Sequence, residues 1–327
     1  MVDQSQEPIV LLDAPVIPGL RFRPFRGEAD YPDMVAVHQS RKEHDAIAAV
    51  STMEFIPTVE TIADNYRGFT TLLFAEVDGR VIGYNTVTWW TDKDTTQVYL
   101  HLEWLMPRWR EQGIEPAMLH WVERYLREVA VGAPAGGSRV FGANATSAER
   151  EQTVLLRREG YQPAFTMLQM TLDNAHALPQ APLPAGVEVR PATPEHYRAL
   201  WEAQQDAYGA ELVEEGTEDD YREFAANPRN DPSLWRVAWD GDRVAGQVRA
   251  TIYDNLADID EVDVAPSWRR RGLARALLVR SIEAVRARGV ETITLRTMAE
   301  NPTGAPDLYR SLGFRVLKEH VRYRKPM

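Results

Sequence analysis

The feature that most constrains this chain is that it reads twice. "DGRVIG" (Asp78 to Gly83) returns as "DGDRVAG" (Asp240 to Gly246). "LMPRWREQGIE" from Leu105 aligns without gaps on "VAPSWRRRGLA" from Val264, and "REGY" (Arg158 to Tyr161) returns as "SLGF" (Ser311 to Phe314). The separation drifts from 163 residues at Gly83 and Gly246, through 159 at Arg110 and Arg269, to 153 at Gly160 and Gly313. One order with a slowly shrinking offset is what a duplicated domain with small deletions shows. The length of 327 residues agrees with two domains, at about 150 residues each. Between the copies runs "DNAHALPQAPLPAG", whose prolines at 179, 182 and 184 suit a stiff, extended connection. The expected division is a first domain over 1–175, a linker over 176–185 and a second domain over 186–327.

Each half reads as mixed α/β. In the second, "GVEVRPAT" is a strand, and "PEHYRALWEAQQDAYG" and "TEDDYREFAAN" are helices. Thr193 serves as the cap of the first of these helices, with Pro194 at its first position. "LWRVAWD" and "RVAGQVRATIYD" make a hairpin about an Asp-Gly turn. "DIDEVDVAP" is a strand; strict alternation sends Ile259, Glu261 and Asp263 one way and Asp258, Asp260, Val262 and Val264 the other. Leu273, Leu277, Leu278, Ile282 and Val285 form a helical stripe. A strand ("VETITLRTM"), a short helix ("DLYRSLGF") and a last strand ("RVLKEHVRYRK") complete a mixed sheet with helices on both faces.

Composition removes several classes of function. With no cysteine there is no disulfide, thiolate zinc site or cysteine nucleophile, so acyl transfer through an enzyme thioester is excluded. The Asp-x-Asp-x-Asp-Gly pattern of a calcium loop is lacking, and no metal is expected. A formal charge of −11 argues against nucleic acid as a partner. No apolar run reaches the ~20 residues that cross a bilayer, and the polar, acidic "MVDQSQEP" is not a signal peptide, so a cytoplasmic protein is expected.

Against that charge, "WRRRGLARALL" (Trp268 to Leu278) sets three arginines before a glycine and a helix. A helix start leaves N–H groups unpaired and carries partial positive charge, so a strand, a glycine loop and a helix together can hold phosphate. Gly272 admits close backbone approach, Ala274 keeps the next turn open, and the N–H groups from Arg270 to Arg275 can form an anion nest. Read alone, the triplet is equally a solvated basic edge.

The order Val-x-x-x-x-Arg-x-x-Gly-x-Ala after a strand, then Asn301 and "LYRSLGF", resembles the GNAT acetyltransferase superfamily. The resemblance covers the second half from about Gly186. It implies that Arg269, Arg270, Arg271, Gly272, Leu273, Ala274 and Arg275 cradle the pyrophosphate of acetyl-coenzyme A, the acyl donor. It further implies that Val262 and Val264 bond the pantetheine arm and thioester through their backbone, that Asn301 lies beside the arm and that Tyr309 lies near the sulfur. The tail "RYRKPM" and "ENPTGA" are similar to a bacterial subgroup of these enzymes.

Acetyl transfer to an amine in a ternary complex needs a neutral amine, although an alkyl ammonium has a pKa of about 10. Among the strand acids Glu261 is the favoured base, with Asp260 second and water as the alternative. The Val264 N–H is the oxyanion donor and Tyr309 the proton source for the thiolate. The run "ELVEEGTEDDYREF" (Glu211 to Phe224), with seven acids and one arginine, points to a small cationic amine acceptor or, equally, to a solvated helix face. Monomer and homodimer both remain open.

The first copy keeps Trp109, Arg110 and Gly113 but has Glu111 for Arg270, Glu115 for Ala274, Pro116 for Arg275 and Arg157 at the tyrosine position. A degenerate fold without a coenzyme site is expected. Its "HQSRKEHDA", with His38 and His44, is either a substrate contact or a wet helix face. A non-catalytic acyl-coenzyme A sensor is the alternative function.

Overall fold

The computed structural model describes residues 8–66, 73–92, 95–132, 137–173, 177–208 and 216–327. The first half contains β1 (Leu20–Pro24), α1 (Tyr31–Arg41), α2 (Val59–Tyr66), β2 (Leu73–Val77), β3 (Arg80–Thr91), β4 (Gln97–Leu105), α3 (Ile114–Val131), β5 (Arg139–Thr146), α4 (Arg150–Arg158) and β6 (Gln162–Asp173). The second half repeats that order. It runs through β7 (Glu188–Arg190), α5 (Tyr197–Tyr208), α6 (Glu218–Ala226), β8 (Arg236–Asp240), β9 (Arg243–Tyr253), β10 (Leu256–Val264), α7 (Leu273–Arg286), β11 (Thr292–Met298), α8 (Ala305–Ser311) and β12 (Arg315–Pro326).

Two compact units result: residues up to Thr166 together with Lys318–Met327, and Met167–Leu317. The halves thus exchange their last strands. β12 pairs antiparallel with β5 in unit 1, from His320↔Thr146 to Pro326↔Val140. β6 pairs antiparallel with β11 in unit 2, from Thr292↔Asp173 to Met298↔Met167. Within unit 1 the strand order is β1-β2-β3-β4-β5-β12, and within unit 2 it is β6-β11-β10-β9-β8-β7.

Alternation along the strands supplies each sheet with two apolar faces. In unit 2, Ala257, Ile259, Leu273, Leu277, Leu278 and Ile282 join one cluster under α7. Leu200, Trp235 and Val237 join another under α5 and α6. In unit 1 the stripe Ile114, Ala117 and Met118 of α3 packs with Leu73, Ala75 and Leu105, and Met34, Val37 and Ile62 pack with Phe74 and Tyr84 on the opposite face. Truncating one such buried leucine to alanine costs about 2–5 kcal/mol.

The glycine repeated at 83 and 246 has one cause in both copies. A Cβ at Gly83 would stand 2.7 Å from the Trp104 carbonyl, and one at Gly246 would stand 2.8 Å from the Asp263 carbonyl. Only glycine lets the hairpin pack this closely on the neighbouring strand.

Candidate active site

The parallel pair β10–β11 is in register only from Leu256↔Thr292 to Ile259↔Leu295, while β10 continues to Val264 and β11 to Met298. Beyond Ile259 the two strands part. The Ala265 N–H bonds the Ala245 carbonyl at 3.0 Å, across to β9. By strand alternation the Val264 and Val262 N–H groups face the other way, into the gap. A bulge in the β9 pairing lies between Ile259 and Glu261, and it corrects the strict alternation expected from sequence. Ala257, Ile259, Val262 and Val264 all pack on the α7 side. Asp258, Asp260, Glu261 and Asp263 therefore share the opposite face, towards α5.

Glu261 is buried and accepts hydrogen bonds from Gln204 Nε2 on α5 and, at 3.4 Å, from Arg249 Nη2. The Arg249 guanidinium lies 4.7 Å from the Phe224 ring centre. Asp263 is buried beside Glu261. Burial and the Glu261 charge push its carboxyl well above the usual carboxylate range. Asp260, though exposed as a residue, accepts from Thr251 Oγ1 at 2.5 Å. Packing around its carboxyl and then the Asp258 charge raise it to about 6, against the Thr251 bond. Tyr309 is 5% exposed and meets Phe314 edge-on at 6.1 Å. Burial pushes its phenol up, and the nearby Glu261 charge adds to the push. The two residues expected to move protons thus come within electrostatic reach of each other.

The glycine loop takes an unusual backbone. Arg270 has φ +61° and Gly272 φ +85°, both left-handed, so neighbouring N–H groups converge into a concavity. Gly272 is the N-cap of α7 and supplies no side-chain cap. The arginines divide their tasks. Arg269 Nε donates to the Val264 carbonyl at 3.2 Å and its guanidinium also bonds the Ala207 carbonyl, tying the end of β10 to the end of α5. Arg271 stacks on Trp268 at 4.8 Å, and Arg275 bonds Ser311 Oγ at 2.7 Å. Arg270 is exposed and lies near the head of α8, where a Cβ on Gly304 would stand 3.9 Å from its Nη1. Leu273 is buried and Ala274 half-buried. Asn301 holds the next turn, its Oδ1 accepting from Thr303 N at 2.9 Å and Thr303 Oγ1 at 2.6 Å.

Unit 1 repeats the backbone and reverses the chemistry. Glu111 has φ +59° and Gly113 φ +86°. Here the Glu115 carboxylate accepts the Glu111 N–H at 2.9 Å and fills the concavity itself. Pro116 has no N–H to add. The β4–β5 register likewise stops at Leu100↔Gly142, and a cleft of about 720 Å³ opens there, lined by Leu102 to Leu105, Asn144, Thr146 and Glu115. Glu103 lines this cleft with both carboxylate oxygens buried and without a hydrogen-bond partner among the described residues. Two carboxylates along a coenzyme channel do not fit a pyrophosphate. The expected tyrosine position needs correction: Phe314 N bonds the Tyr309 carbonyl, and Tyr161 N bonds that of Leu156. The counterpart of Tyr309 is therefore the buried Leu156, not Arg157. His38 is 8% exposed, bonds Tyr84 Oη at 2.7 Å and is held neutral by burial, its pKa lowered to about 3. Within the "HQSRKEHDA" run His38, Arg41 and Asp45 are buried, Asp45 bonding Arg41 and Arg110, whereas Gln39, Ser40, Lys42, Glu43, His44 and Ala46 are exposed, so the run presents one internal and one wet face.

Of the acidic run Glu211 to Phe224, residues 211–215 lie outside the described residues. Glu218 pairs with Arg198 at 2.7 Å, Asp219 with Arg222 at 2.8 Å, and Asp220 accepts the Thr217 N–H. Sequence reasoning missed Gln204 and Arg249. Only the fold brings α5 and β9 to Glu261.

A mixed sheet whose central parallel strands part over a left-handed glycine loop, with a helix start behind it that has no side-chain cap, is the arrangement that the resemblance to the GNAT superfamily implies. The Acetyltransferase (GNAT) family matches residues 197–314. The mycothiol acetyltransferase of Clavibacter michiganensis is 30% identical over 230 residues, covering 67% of this chain and 70% of that protein. The mycothiol acetyltransferase of Pseudarthrobacter chlorophenolicus is 34% identical over 52% of this chain and 55% of its own length. The chain belongs to the GNAT acetyltransferase family. It spans little more than half the length of the first curated relatives it matches, 55% and 57%. A GCN5-related N-acetyltransferase from Sphaerobacter thermophilus shares the fold, with TM-score 0.74, 24% identity and coverage of 94% of this chain and 95% of that one. A tandem GNAT protein from the clavulanic acid biosynthesis pathway superposes with TM-score 0.63 at 15% identity, covering 94% and 98%. Among the described residues no helix is long and apolar enough to cross a membrane.

Proposed function

We propose that unit 2 is an acetyl-coenzyme A-dependent N-acetyltransferase and that unit 1 binds no coenzyme. The observation that carries this reading is the contrast between two loops of one backbone. The loop at Arg270 to Ala274 leaves its N–H groups to an incoming anion; the loop at Glu111 to Glu115 has filled them with its own carboxylate. In unit 2 the backbone concavity and Arg270 hold the pyrophosphate, with Arg271 and Arg275 flanking. The pantetheine arm lies in the gap beside β10, between Val262 and Asn301.

The acceptor enters from the α5 side, where Glu261, Asp263 and Asp260 face it. A basic group there, directly or through one water, takes a proton from the ammonium. The neutral nitrogen attacks the thioester carbonyl, and the Val264 N–H donates to the developing oxyanion. As the C–S bond breaks, Tyr309, protonated at neutral pH, donates its proton to the thiolate; burial and the Glu261 charge raise its pKa and oppose the transfer, so the developing thiolate charge must drive it. Glu261 is the favoured base, with Asp260 second.

Charge on the acceptor side favours a small cationic amine. The support shifts from the α6 acids, of which Glu218, Asp219 and Asp220 are bonded locally, to the buried β10 acids. The name of the relatives makes acceptors related to mycothiol a natural part of a test panel. Coenzyme A release should be measured against polyamines, aminoglycosides, amino sugars and neutral amines. Release with a cationic amine that falls steeply with salt at constant kcat supports the reading. Preference for an anionic acceptor overturns the charge argument, and binding of acetyl-coenzyme A without release on any amine favours the sensor.

A further inference from the structure

In unit 1 the same structural gap has different contents. The cleft of about 720 Å³ is large enough for a small organic molecule. Its anion end is closed by Glu115 on the Glu111 N–H. Its wall carries Glu103 at the register position of Val262. Both Glu103 oxygens are buried and have no hydrogen-bond partner among the described residues. A buried carboxyl without a partner costs several kcal/mol unless it is protonated or meets a cation. Burial and the neighbouring charges of Glu115 and Glu123 push Glu103 well above the usual carboxylate range. Arg110 and Arg41 are engaged on Asp45 and Lys325 on Glu123 at 2.6 Å, and although Arg150, Arg158 and Arg322 also line the cleft, no cation among the described residues bonds Glu103. Apolar Leu155 and Val154 of α4 line the same cleft.

We propose that the unit 1 cleft is a second ligand site, which takes a primary ammonium on a compact apolar body, with the Glu103 carboxylate as its counter-charge. The ammonium supplies the donors that the protein does not, and its charge offsets Glu103 and Glu115 together. This site is separate from the acceptor site assigned to unit 2 and stands whether or not unit 2 transfers acetyl groups.

Calorimetry on the full chain with benzylammonium tests the proposal, with benzyl alcohol as the uncharged control. Saturable binding of benzylammonium is expected, at least tenfold weaker for benzyl alcohol. Glu103→Gln should weaken benzylammonium at least tenfold, whereas Glu261→Gln, which alters unit 2, should leave this site unchanged. An unaltered acetyl-coenzyme A affinity and melting temperature in Glu103→Gln show that the variant is folded. If Glu103→Gln misfolds, Glu115→Gln is read instead, with a weakening of at least threefold expected. No binding, equal binding of the alcohol, equal binding by the folded Glu103→Gln, or loss only in Glu261→Gln overturns the proposal. So does displacement of benzylammonium from this cleft by acetyl-coenzyme A.

Discussion

Unit 1 shows how one residue can close the loop to which phosphate binding is proposed in unit 2. Ala274 occupies the position of Glu115, on a loop whose left-handed angles match to within a few degrees: +61° and +85° at Arg270 and Gly272 against +59° and +86° at Glu111 and Gly113. In Ala274→Glu the new carboxylate should accept the Arg270 N–H, as Glu115 accepts that of Glu111 at 2.9 Å. A hydrogen bond to a charged group contributes about 1.5–3 kcal/mol. Each 1.4 kcal/mol is a factor of ten, so displacing this plug alone weakens acetyl-coenzyme A about ten- to hundredfold. A carboxylate about 4 Å from a phosphate adds about 4 kcal/mol of repulsion per charge pair at an effective dielectric of ~20. The expected loss is a hundredfold or more in Kd, read by calorimetry on the full chain. Ala274→Gln, close in shape but uncharged, should lose far less. An acid in the first turn of a helix is favoured by about 0.3–1 kcal/mol, so the melting temperature should hold or rise slightly. A Kd within threefold of wild type in a folded Ala274→Glu protein would refute the nest.

Tyr309→Phe keeps the edge-on contact with Phe314; kcat should fall about tenfold or more with coenzyme binding intact, and an unchanged kcat would return Tyr309 to core packing. Asp260 is raised to about 6, so between about pH 4 and pH 6 the folded chain keeps a proton that the unfolded chain releases, and stability falls as pH rises through that window. Asp260→Asn should remove this slope in denaturant melts and, if Asp260 is the base, the ionisation near pH 6 in kcat/KM. Burial opposes ionisation of Asp45, but Arg110 and Arg41 outweigh it and hold the carboxyl down to about 2, so its stabilisation is present above about pH 4 and is lost as pH falls towards 2. Asp45→Asn leaves two buried guanidiniums short of a partner and should cost about 3–5 kcal/mol by urea melt at pH 7.

How much of this was legible in the sequence depends on the range of the interaction involved. The duplicated turns at Gly83 and Gly246 and the loop glycines at 113 and 272 are local requirements, and they stood in the sequence as matched motifs. The paired acid-for-arginine and acid-for-alanine changes at 111 and 115 also announced the altered first copy. The exchange of β6 and β12 is a long-range pairing that leaves no trace in periodicity. The bulge after Ile259 shifts which acids share a face, and nothing in "DIDEVDV" marks it. The resemblance implied that Arg269 is a phosphate ligand, whereas the fold gives its guanidinium to two carbonyls near β10 and α5, a long-range contact that no motif spells out. Nothing in the sequence around Glu103 distinguishes it from an ordinary strand acid; its buried carboxylate, without a hydrogen-bond partner among the described residues, sets it apart.

The central claim is that one fold was used twice and only the second copy holds the coenzyme. Titration calorimetry of the full chain with acetyl-coenzyme A measures this directly. The account predicts one equivalent per chain, with binding abolished or severely weakened by Arg270→Glu and unaffected by Glu111→Gln. Two equivalents per chain, or one equivalent that survives Arg270→Glu unchanged, would contradict it.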